Sequence, residues 1–293
     1  MSIRVCLFSS YFSSQNVPEY IKFYIEQLRP HFDRLVFITN EEKQLDENAI
    51  TWLAEHTDHW MSVKNEGYDF GMWSKALATI DASQIDELCL TNDSCICFKP
   101  LTDTIEHARG GEAAIGLVKS YEITEHLQSY FLIFRDQAIP IVLQHLSETD
   151  FSVMNYRNVV EHGELELSRK LLKAHIKLHG LYATEENEKI NPSFYEIYPM
   201  LKTGIPLVKR KLLNTPASSF AISHNIRKGH PSNPNNLIQY LKTQSNHETH
   251  GFLDEHKQSQ RKLLPYYRRF VRYYLKWKIV HLARWVLHKI PPI

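Results

Sequence analysis

The sequence predicts an α/β protein with a Rossmann-type central sheet flanked by helices and with a C-terminal helical extension. Short apolar runs typical of buried strands alternate with segments in which apolar residues recur at helical spacing. The order strand, helix, strand, helix is the pattern of a parallel sheet with crossover helices. After residue 256 the sequence becomes strongly basic, which separates the extension from the rest.

The predicted elements follow in order along the chain. The first half alternates strands with helices, in the order strand 4–10, helix 17–28, strand 34–39, helix 50–55, strand 60–63, helix 71–80 and strand 87–90. Two further strands and two further helices are predicted after these, at 113–118, 130–134, 139–146 and 165–178. Residues 184–256 are rich in Asn, Pro and His and predict loops and short helices.

The charge is distributed unevenly. Ten of the 34 lysines and arginines lie after residue 256, where there is no Asp or Glu. The first 256 residues therefore carry 24 basic and 33 acidic side chains, a net charge of about −9. This balance argues against a nucleic-acid-binding protein. It divides the chain into a body over residues 1–256 and a basic amphipathic tail over residues 257–293.

The tail predicts contact with a membrane surface. Arg268, Arg269, Arg272 and Lys276 share one helical arc, with aromatic and aliphatic residues opposite. Basic residues together with Trp and Tyr suit an anionic bilayer surface. Packing of this helix on the body or on another subunit is the alternative interpretation. Because no signal peptide and no membrane-spanning run is visible, we expect a cytoplasmic protein attached peripherally.

The four cysteines predict buried free thiols. Cys6, Cys89, Cys95 and Cys97 lie in or beside apolar runs, and no second pair of metal ligands stands at a suitable spacing. Free cysteine is often buried, and a reducing compartment keeps it free.

Two motifs follow predicted strands, at the edge of the sheet where ligands collect. Asn65 to Trp73 contains Gly67 and Gly71 on either side of Asp69. Glycine lets the backbone approach a ligand, and the carboxylate can accept hydrogen bonds, although a tight turn with a helix cap explains this pattern equally well. The second motif, Asn92-Asp93-Ser94, places an acidic residue directly after a buried strand.

Together with later segments, these motifs resemble the rhamnan synthesis protein F family of bacterial glycosyltransferases. The resemblance runs over about 150 residues as an ordered series of short motifs. These are Asn65-x-Gly67-x-Asp69 with Phe70, Gly71 and Trp73, then Asp86-Glu87-Leu88, Asn92-Asp93-Ser94, His126 to Phe131, Gly163-Glu164-Leu165, Asn191-Pro192-Ser193 and Gly204 to Arg210.

The resemblance implies a GT-A-like fold and a nucleotide-sugar-dependent glycosyltransferase of the inverting type. The donor would be a nucleotide-sugar such as dTDP-rhamnose. The acceptor would be a growing surface polysaccharide or lipopolysaccharide glycan, carried on a lipid at the cytoplasmic face of the inner membrane. A rival hypothesis is a non-catalytic nucleotide- or carbohydrate-binding protein on the same fold, because Asn92-Asp93-Ser94 is one carboxylate short of the usual Asp-x-Asp motif.

The resemblance also assigns candidate site residues. For the donor these are Asn65, Gly67, Asp69, Lys75, Asn92 and Ser94. For the sugar or acceptor they are His126, Gln128 and Ser129. Asp93 would face the diphosphate and could hold Mg²⁺ or Mn²⁺, since hard cations take oxygen ligands.

Two further groups complete the predicted site. Lys209 and Arg210 suit a phosphate, although a solvated surface is an equal alternative. Glu164 is the first candidate for the catalytic base, with Glu161 and Glu166 as rivals. A structural explanation stands beside the catalytic one, because the helix dipole alone favours carboxylates in a first turn.

Overall fold

The computed structural model describes residues 3–42, 44–187, 189–214 and 234–258. Apart from its first two residues, the predicted tail lies outside the described residues, and so does its expected membrane contact. Among the helices within these ranges, none combines the length and apolar character needed to span a bilayer.

A mixed eight-stranded sheet organises the described part of the chain. The described residues form ten strands, of which eight belong to this sheet. They are β1 (Ile3–Ser10), β2 (Arg34–Asn40), β3 (His59–Val63), β4 (Ile85–Asn92), β5 (Cys95–Cys97), β6 (Ala114–Ser120), β7 (His126–Leu127), β8 (Phe131–Arg135), β9 (Leu178–Ala183) and β10 (Leu207–Lys209). Their order in the large sheet is β3-β2-β1-β4-β8-β6-β7, with β9 paired to β6. The remaining two strands, β5 and β10, form a separate antiparallel ribbon.

Helices cover the sheet. They are α1 (Glu19–Leu28), α2 (Glu47–His56), α3 (Tyr68–Leu77), α4 (Thr102–Arg109), α5 (Ala138–Glu148), α6 (Tyr156–Val159), α7 (Glu166–Lys173), α8 (Pro192–Tyr195), α9 (Ile197–Lys202), α10 (Arg210–Leu213), α11 (Pro234–Gln244) and α12 (His250–Gln258). A π-helical segment, Val160–Leu165, joins α6 to α7. The predicted α/β class with a Rossmann-type sheet is confirmed.

The strand order changes direction at β1. From β1 the chain proceeds to β2 and β3 on one side, and then returns to β4 on the other side, all parallel. Ser9 pairs with both Ile38 and Asn92, so the three parallel strands end at one level. The loops that leave β1 and β4 diverge from this point, and a doubly wound sheet offers its ligand crevice there.

The central strands are buried on both faces, which explains their continuous apolar runs. Cys6 and Phe8 of β1 pack with Tyr24 in one apolar layer, while Val5 and Leu7 pack in the other. Successive side chains of a strand point to opposite faces, so one short strand supplies both layers. Burial of each such side chain contributes about 1.5–3 kcal/mol.

The four cysteines are buried free thiols, as the sequence predicted. Cys6 and Cys89 lie on paired positions of β1 and β4, and Cys95 and Cys97 lie in β5.

The predicted helix 165–178 is wrong at both ends. The helical region begins already at Tyr156 in α6 and passes through the π-helical segment, and α7 ends at Lys173. His175 has a positive φ of 61°, which no α-helix accommodates, and β9 begins at Leu178. Ile176 and Leu178 continue the helical spacing of the apolar residues before them, but they are also two apart, as in a strand. Pairing with β6 decides between the two patterns.

Gly163 in the π-helical segment allows this segment to lie directly against α3. A Cβ at this position would come within 2.8 Å of the Phe70 ring. Phe70 cannot easily move, because its ring is packed between Trp73 and Phe151, at centroid distances of 5.1 and 5.6 Å.

We expect Gly163→Ala to lower the free energy of unfolding by about 1–3 kcal/mol, the usual cost of an overpacked core. Gly251→Ala is the matched control. Gly251 also lies in a helix, but nothing stands within 4 Å of its added Cβ. Helix propensity alone makes that change neutral or stabilising by up to about 1 kcal/mol. Urea unfolding of both variants measures the difference, and a stabilising Gly163→Ala would contradict the close packing.

Candidate active site

A cluster of polar side chains lies at the carboxyl ends of β1 and β4, at the point where the strand order changes direction. The Ser9 hydroxyl donates to Asp69 Oδ1 at 3.0 Å, and the Asn92 amide donates to Asp69 Oδ2 at 2.8 Å. The Asp93 amide N–H donates to the Ser9 carbonyl at 3.1 Å. Ser9 therefore joins the two motifs that follow β3 and β4. The sequence predicted both motifs at this edge of the sheet.

The turn that carries Asp69 depends on Gly67. Gly67 has a φ of +75°, in the left-handed region that favours glycine, and a Cβ there would overlap the backbone of Phe151. The structure thus gives Gly67 a conformational and packing role in presenting Asp69 from the first turn of α3.

The Asp69 carboxyl titrates near neutral pH. Burial raises its pKa to about 7, with the nearby charge of Asp93 as the second cause. The hydrogen bond from Ser9 and the charge of Lys209 act in the opposite direction. An Asp in this state can donate or accept a proton toward a ligand at physiological pH.

Asp93 is neutralised by an arginine. Its side chain is buried, Arg210 Nη1 lies 3.0 Å from its Oδ2, and the Tyr20 hydroxyl donates to the same oxygen at 3.2 Å. Burial raises the pKa of the Asp93 carboxyl, while the charge of Arg210 lowers it. The guanidinium also stacks over the Tyr20 ring at 4.5 Å and donates to the Asp93 carbonyl at 3.0 Å.

The ribbon of β5 and β10 brings a second cation to this edge. Lys209 Nζ donates to Ser94 Oγ at 3.0 Å and stands 4.1 Å from the centre of the Tyr130 ring. The Ser94 amide N–H donates in turn to the Asn92 side chain at 3.1 Å. Lys209 and Arg210 therefore flank the Asn92-Asp93-Ser94 segment, and neither is simply a solvated surface residue.

Glu164 projects from the π-helical segment toward the same cluster. Its Oε2 accepts from the Ser129 amide N–H at 2.7 Å, and His126 Nε2 lies 3.5 Å from its Oε1. Its charge is close enough to raise the pKa values of Asp69 and Tyr130. Single π-helical turns are frequent at functional sites, and here the turn directs a carboxylate inward.

The rival carboxylates lie elsewhere. Glu161 and Glu166 both pair with Arg169, at 2.7 and 3.3 Å, on an exposed face. Of the three candidate bases, the structure brings Glu164 into the cluster.

Gln128 belongs to a group of buried, hydrogen-bonded side chains next to Tyr130. Its amide donates to Asn191 Oδ1 at 3.0 Å, and its oxygen accepts a hydrogen bond from the Ser193 hydroxyl. Ser193 also bonds the Tyr130 hydroxyl at 3.2 Å. The Asn191-Pro192-Ser193 motif therefore fixes Tyr130, over which Lys209 lies. His126 is also buried, and its Nδ1 bonds the Thr124 carbonyl at 2.8 Å.

Asn65 lies in the loop before α3, and Lys75 reaches this loop from the last turn of α3. The Lys75 ammonium bonds the Lys64 carbonyl at 2.7 Å and Glu66 at 3.2 Å, so it supports this loop. Asn65 is half-buried, and its side chain forms no hydrogen bond with the part of the chain that the structure describes.

Sequence reasoning missed Ser9, Tyr20 and Tyr130. The two tyrosines form aromatic faces beneath the cations, and Ser9 joins the motifs. Tyr20 lies on the apolar face of a predicted helix and Tyr130 at the start of a predicted strand, so each was indistinguishable from core. Their roles become visible only through Lys209 and Arg210, the cations that lie over these rings and are far away along the chain.

The described residues do not form a metal centre of their own. Within the described ranges no three His, Cys, Asp or Glu side chains lie together in a way that could hold a metal ion. A cation at Asp93 would also stand against the Arg210 guanidinium, 3.0 Å from the same carboxylate. The Mg²⁺ or Mn²⁺ site at Asp93 stays a prediction, and such a cation would share this carboxylate with Arg210.

The sequence model of the family described as rhamnan synthesis protein F matches residues 35–267. The chain belongs to this family. The match covers both motifs of the cluster, the π-helical segment and the two cations. Membership connects the chain with rhamnan synthesis, and so with the synthesis of a polysaccharide.

Other comparisons are distant. Among curated proteins, none matches significantly. A cytidylyltransferase from Leptospira borgpetersenii serovar Hardjo-bovis aligns over 83% of this chain and 95% of its own, with 12% identity and a TM-score of 0.40. The 4-diphosphocytidyl-2C-methyl-D-erythritol synthase of Anaerococcus prevotii aligns over 64% and 92%, with 12% identity and a TM-score of 0.37. At such scores these likenesses say nothing about the activity of this chain.

The raised pKa of Asp69 predicts a pH-dependent stability. The folded state holds this proton more tightly than the unfolded state, where the pKa of the Asp69 carboxyl is about 3.8. The bound proton therefore adds its full contribution to the free energy of unfolding below about pH 4. This contribution is lost as the pH rises through about 7. Relative to the wild-type chain, Asp69→Asn should gain about 3–4 kcal/mol of unfolding free energy between about pH 4 and pH 7.5.

Urea unfolding at several pH values measures this gain, and any constant cost of the substitution cancels in the comparison. Asp81→Asn is the control, because hydrogen bonds from Ser83 hold the pKa of Asp81 below its usual value, so that variant gains nothing. A difference that stays constant from about pH 4 to pH 7.5 in Asp69→Asn would contradict the assignment.

Proposed function

We propose that this protein is an inverting glycosyltransferase that moves a sugar from a nucleotide-sugar to a hydroxyl of a bacterial surface glycan. One observation carries the proposal. Two cations, Lys209 and Arg210, and an inward carboxylate, Glu164, converge on the edge of the sheet where β1 and β4 end. Such a crevice is where doubly wound sheets take nucleotides.

The donor would lie with its diphosphate beside Lys209 and Arg210. Both are half-buried, and cations that are partly removed from water interact with phosphate more strongly than solvated ones. Asn65 and Asp69 would then contact the sugar or the nucleoside by hydrogen bonds. dTDP-rhamnose is the proposed donor, in keeping with the family to which the chain belongs.

Glu164 would act as the general base. The acceptor hydroxyl transfers its proton to the Glu164 carboxylate, and the oxygen forms a bond to the anomeric carbon as the bond from that carbon to the phosphate oxygen breaks. The nucleoside diphosphate leaves with the bonding electrons, and the positive charges of Lys209 and Arg210 balance its added negative charge. The Ser129 amide N–H, 2.7 Å from the carboxylate, holds the base in orientation.

The proposed acceptor is a lipid-linked glycan, and the basic tail would hold the enzyme at the cytoplasmic face of the inner membrane. The support is the tail sequence, with ten Lys or Arg and no Asp or Glu from residue 257 onward. Flotation with anionic liposomes should recover the full chain in the lipid fraction, and a chain ending at residue 260 in the soluble fraction. Equal distribution of the two chains would refute the attachment.

Lys209→Gln should weaken the binding of dTDP-rhamnose about tenfold, the usual effect of losing one charge-assisted contact. The control is Lys202→Gln, which removes an exposed lysine from α9. Isothermal titration with and without Mg²⁺ measures both affinities. Equal donor affinities in Lys209→Gln and the wild-type chain would count against the phosphate role.

Glu164→Gln should lower kcat by about 10²–10⁴-fold, because the amide cannot take the acceptor proton but can still accept from Ser129. Glu161→Gln, in the same segment but paired with Arg169, is the control and should retain turnover. The assay follows the release of nucleoside diphosphate. Near-normal turnover in Glu164→Gln would remove Glu164 from the role of base. Donor binding without any release by the wild-type chain would favour the non-catalytic rival.

A further inference from the structure

Two exposed tyrosines stand beside the candidate active site. Tyr68 directly precedes Asp69 and is 44% exposed, and Tyr156 at the start of α6 is 68% exposed. Their rings meet edge to face, with centroids 5.8 Å apart and an interplanar angle of 75°. Large aromatic side chains are normally buried, so a paired and exposed set beside a site is informative.

The backbone holds Tyr68 in an unfavourable conformation. Its φ is +53°, directly after Gly67 at +75°, and bulky residues rarely adopt this region. A residue kept there by the surrounding structure is typical of a binding site or a catalytic site. Core packing does not explain the ring, because much of it faces solvent.

Carboxylates lie around Tyr156. Its pKa is raised, first by partial burial and then by the charges of Glu164, Glu122 and Asp69. Geometry places Tyr156 near the same two carboxylates, because its ring contacts Tyr68, the neighbour of Asp69, and its helix α6 continues into the π-helical segment that carries Glu164. Lys209 and Arg210 lie where β10 passes into α10.

An aromatic face with carboxylates around it suits a neutral sugar. The electron-rich face of a ring attracts the weakly positive C–H groups of a pyranose. Sugar hydroxyls donate hydrogen bonds to carboxylates, and such charge-assisted bonds are strong. A sugar that bears a carboxylate would instead face like charges, which disfavour its binding.

We propose that Tyr68 and Tyr156 form a binding subsite for a neutral saccharide, which they hold beside Glu164 and Asp69. That this saccharide is the acceptor rests on the proposed function. In this arrangement the donor diphosphate lies on the basic side of the site and the acceptor ring on the aromatic and acidic side. The hydroxyl to be glycosylated would then point toward Glu164. The subsite selects uncharged glycan ends.

The test measures saccharide binding directly, without a donor. The probes are the methyl glycosides of a rhamnose disaccharide and a glucose disaccharide, and a matched disaccharide that ends in glucuronic acid. Titration followed by NMR gives each dissociation constant. We expect at least one neutral disaccharide to bind and the uronic acid compound to bind about tenfold more weakly.

Three variants make the assignment specific. Tyr156→Ala should weaken binding of the neutral disaccharide about threefold to tenfold, the range expected for loss of one aromatic contact. Tyr156→Phe keeps the ring and should bind within about twofold of the wild-type chain. Val153→Ala, at a position that is 83% exposed in the preceding loop, is the control. Because Tyr156 is exposed, the melting temperature should change little in any of them.

Several outcomes would overturn the subsite: no binding of either neutral disaccharide, unchanged affinity in Tyr156→Ala, or equal losses in Tyr156→Ala and Tyr156→Phe. Failure of the proposed function is distinguishable from these. A wild-type chain that binds the neutral disaccharide but never releases nucleoside diphosphate refutes the transferase and keeps the subsite. Sugar transfer with an unchanged acceptor KM in Tyr156→Ala refutes the subsite and keeps the transferase.

Discussion

The buried pair of Asp93 and Arg210 is the interaction on which the site depends. A carboxylate that is 7% exposed would be costly without a partner, and Arg210 supplies one from 117 residues further along the chain. The Arg210 backbone also bonds the Ser94 carbonyl at 3.0 Å, so the contact joins main chains as well as charges. Breaking such a pair on one side generally costs about 3–5 kcal/mol, because the other charge remains buried. The same contact thus fixes the ribbon of β5 and β10 and delivers the cations.

From this pair the site separates into two sides of opposite charge. Lys209 and Arg210 lie over the Tyr130 and Tyr20 rings, and Asp93 balances the charge of Arg210, so Lys209 supplies the net positive charge on this side. Across the sheet edge, Asp69 and Glu164 form the acidic side. The proposed transfer reaction would use this arrangement, since negative charge would leave beside Lys209 while a proton is removed at Glu164.

Much of the fold followed from local sequence patterns. The strands around Val5, Val36 and Leu88 are buried on both faces, and their apolar runs are therefore unambiguous. Strand β9 was missed because Ile176 and Leu178 fit helical spacing and strand alternation alike, and only pairing with β6 distinguishes the two. Local patterns carry no information about such distant pairing.

The site was predicted less completely, for a related reason. Asp69, Asp93 and Glu164 were marked by motifs, and the structure brings them together. The pairing of Asp93 with Arg210 was not predicted, because no spacing along the chain encodes a contact over more than a hundred residues. The bond from the Lys75 ammonium to the Lys64 carbonyl was not predicted either. Tyr20 and Tyr130 had the appearance of core residues until their cationic partners were placed.

Ser9 has a consequence for how the proposed transferase could diversify. Its hydroxyl holds Asp69 and its carbonyl holds the Asp93 backbone, so the separation of the two motifs is determined by the central strand of the sheet. Tyr156, by contrast, lies in a short helix whose ring is largely exposed. Under the proposed function, substitutions there would alter which saccharide is bound while the end of the site at β1 and β4 keeps its geometry. Evolution could then change the product of the proposed reaction one surface residue at a time.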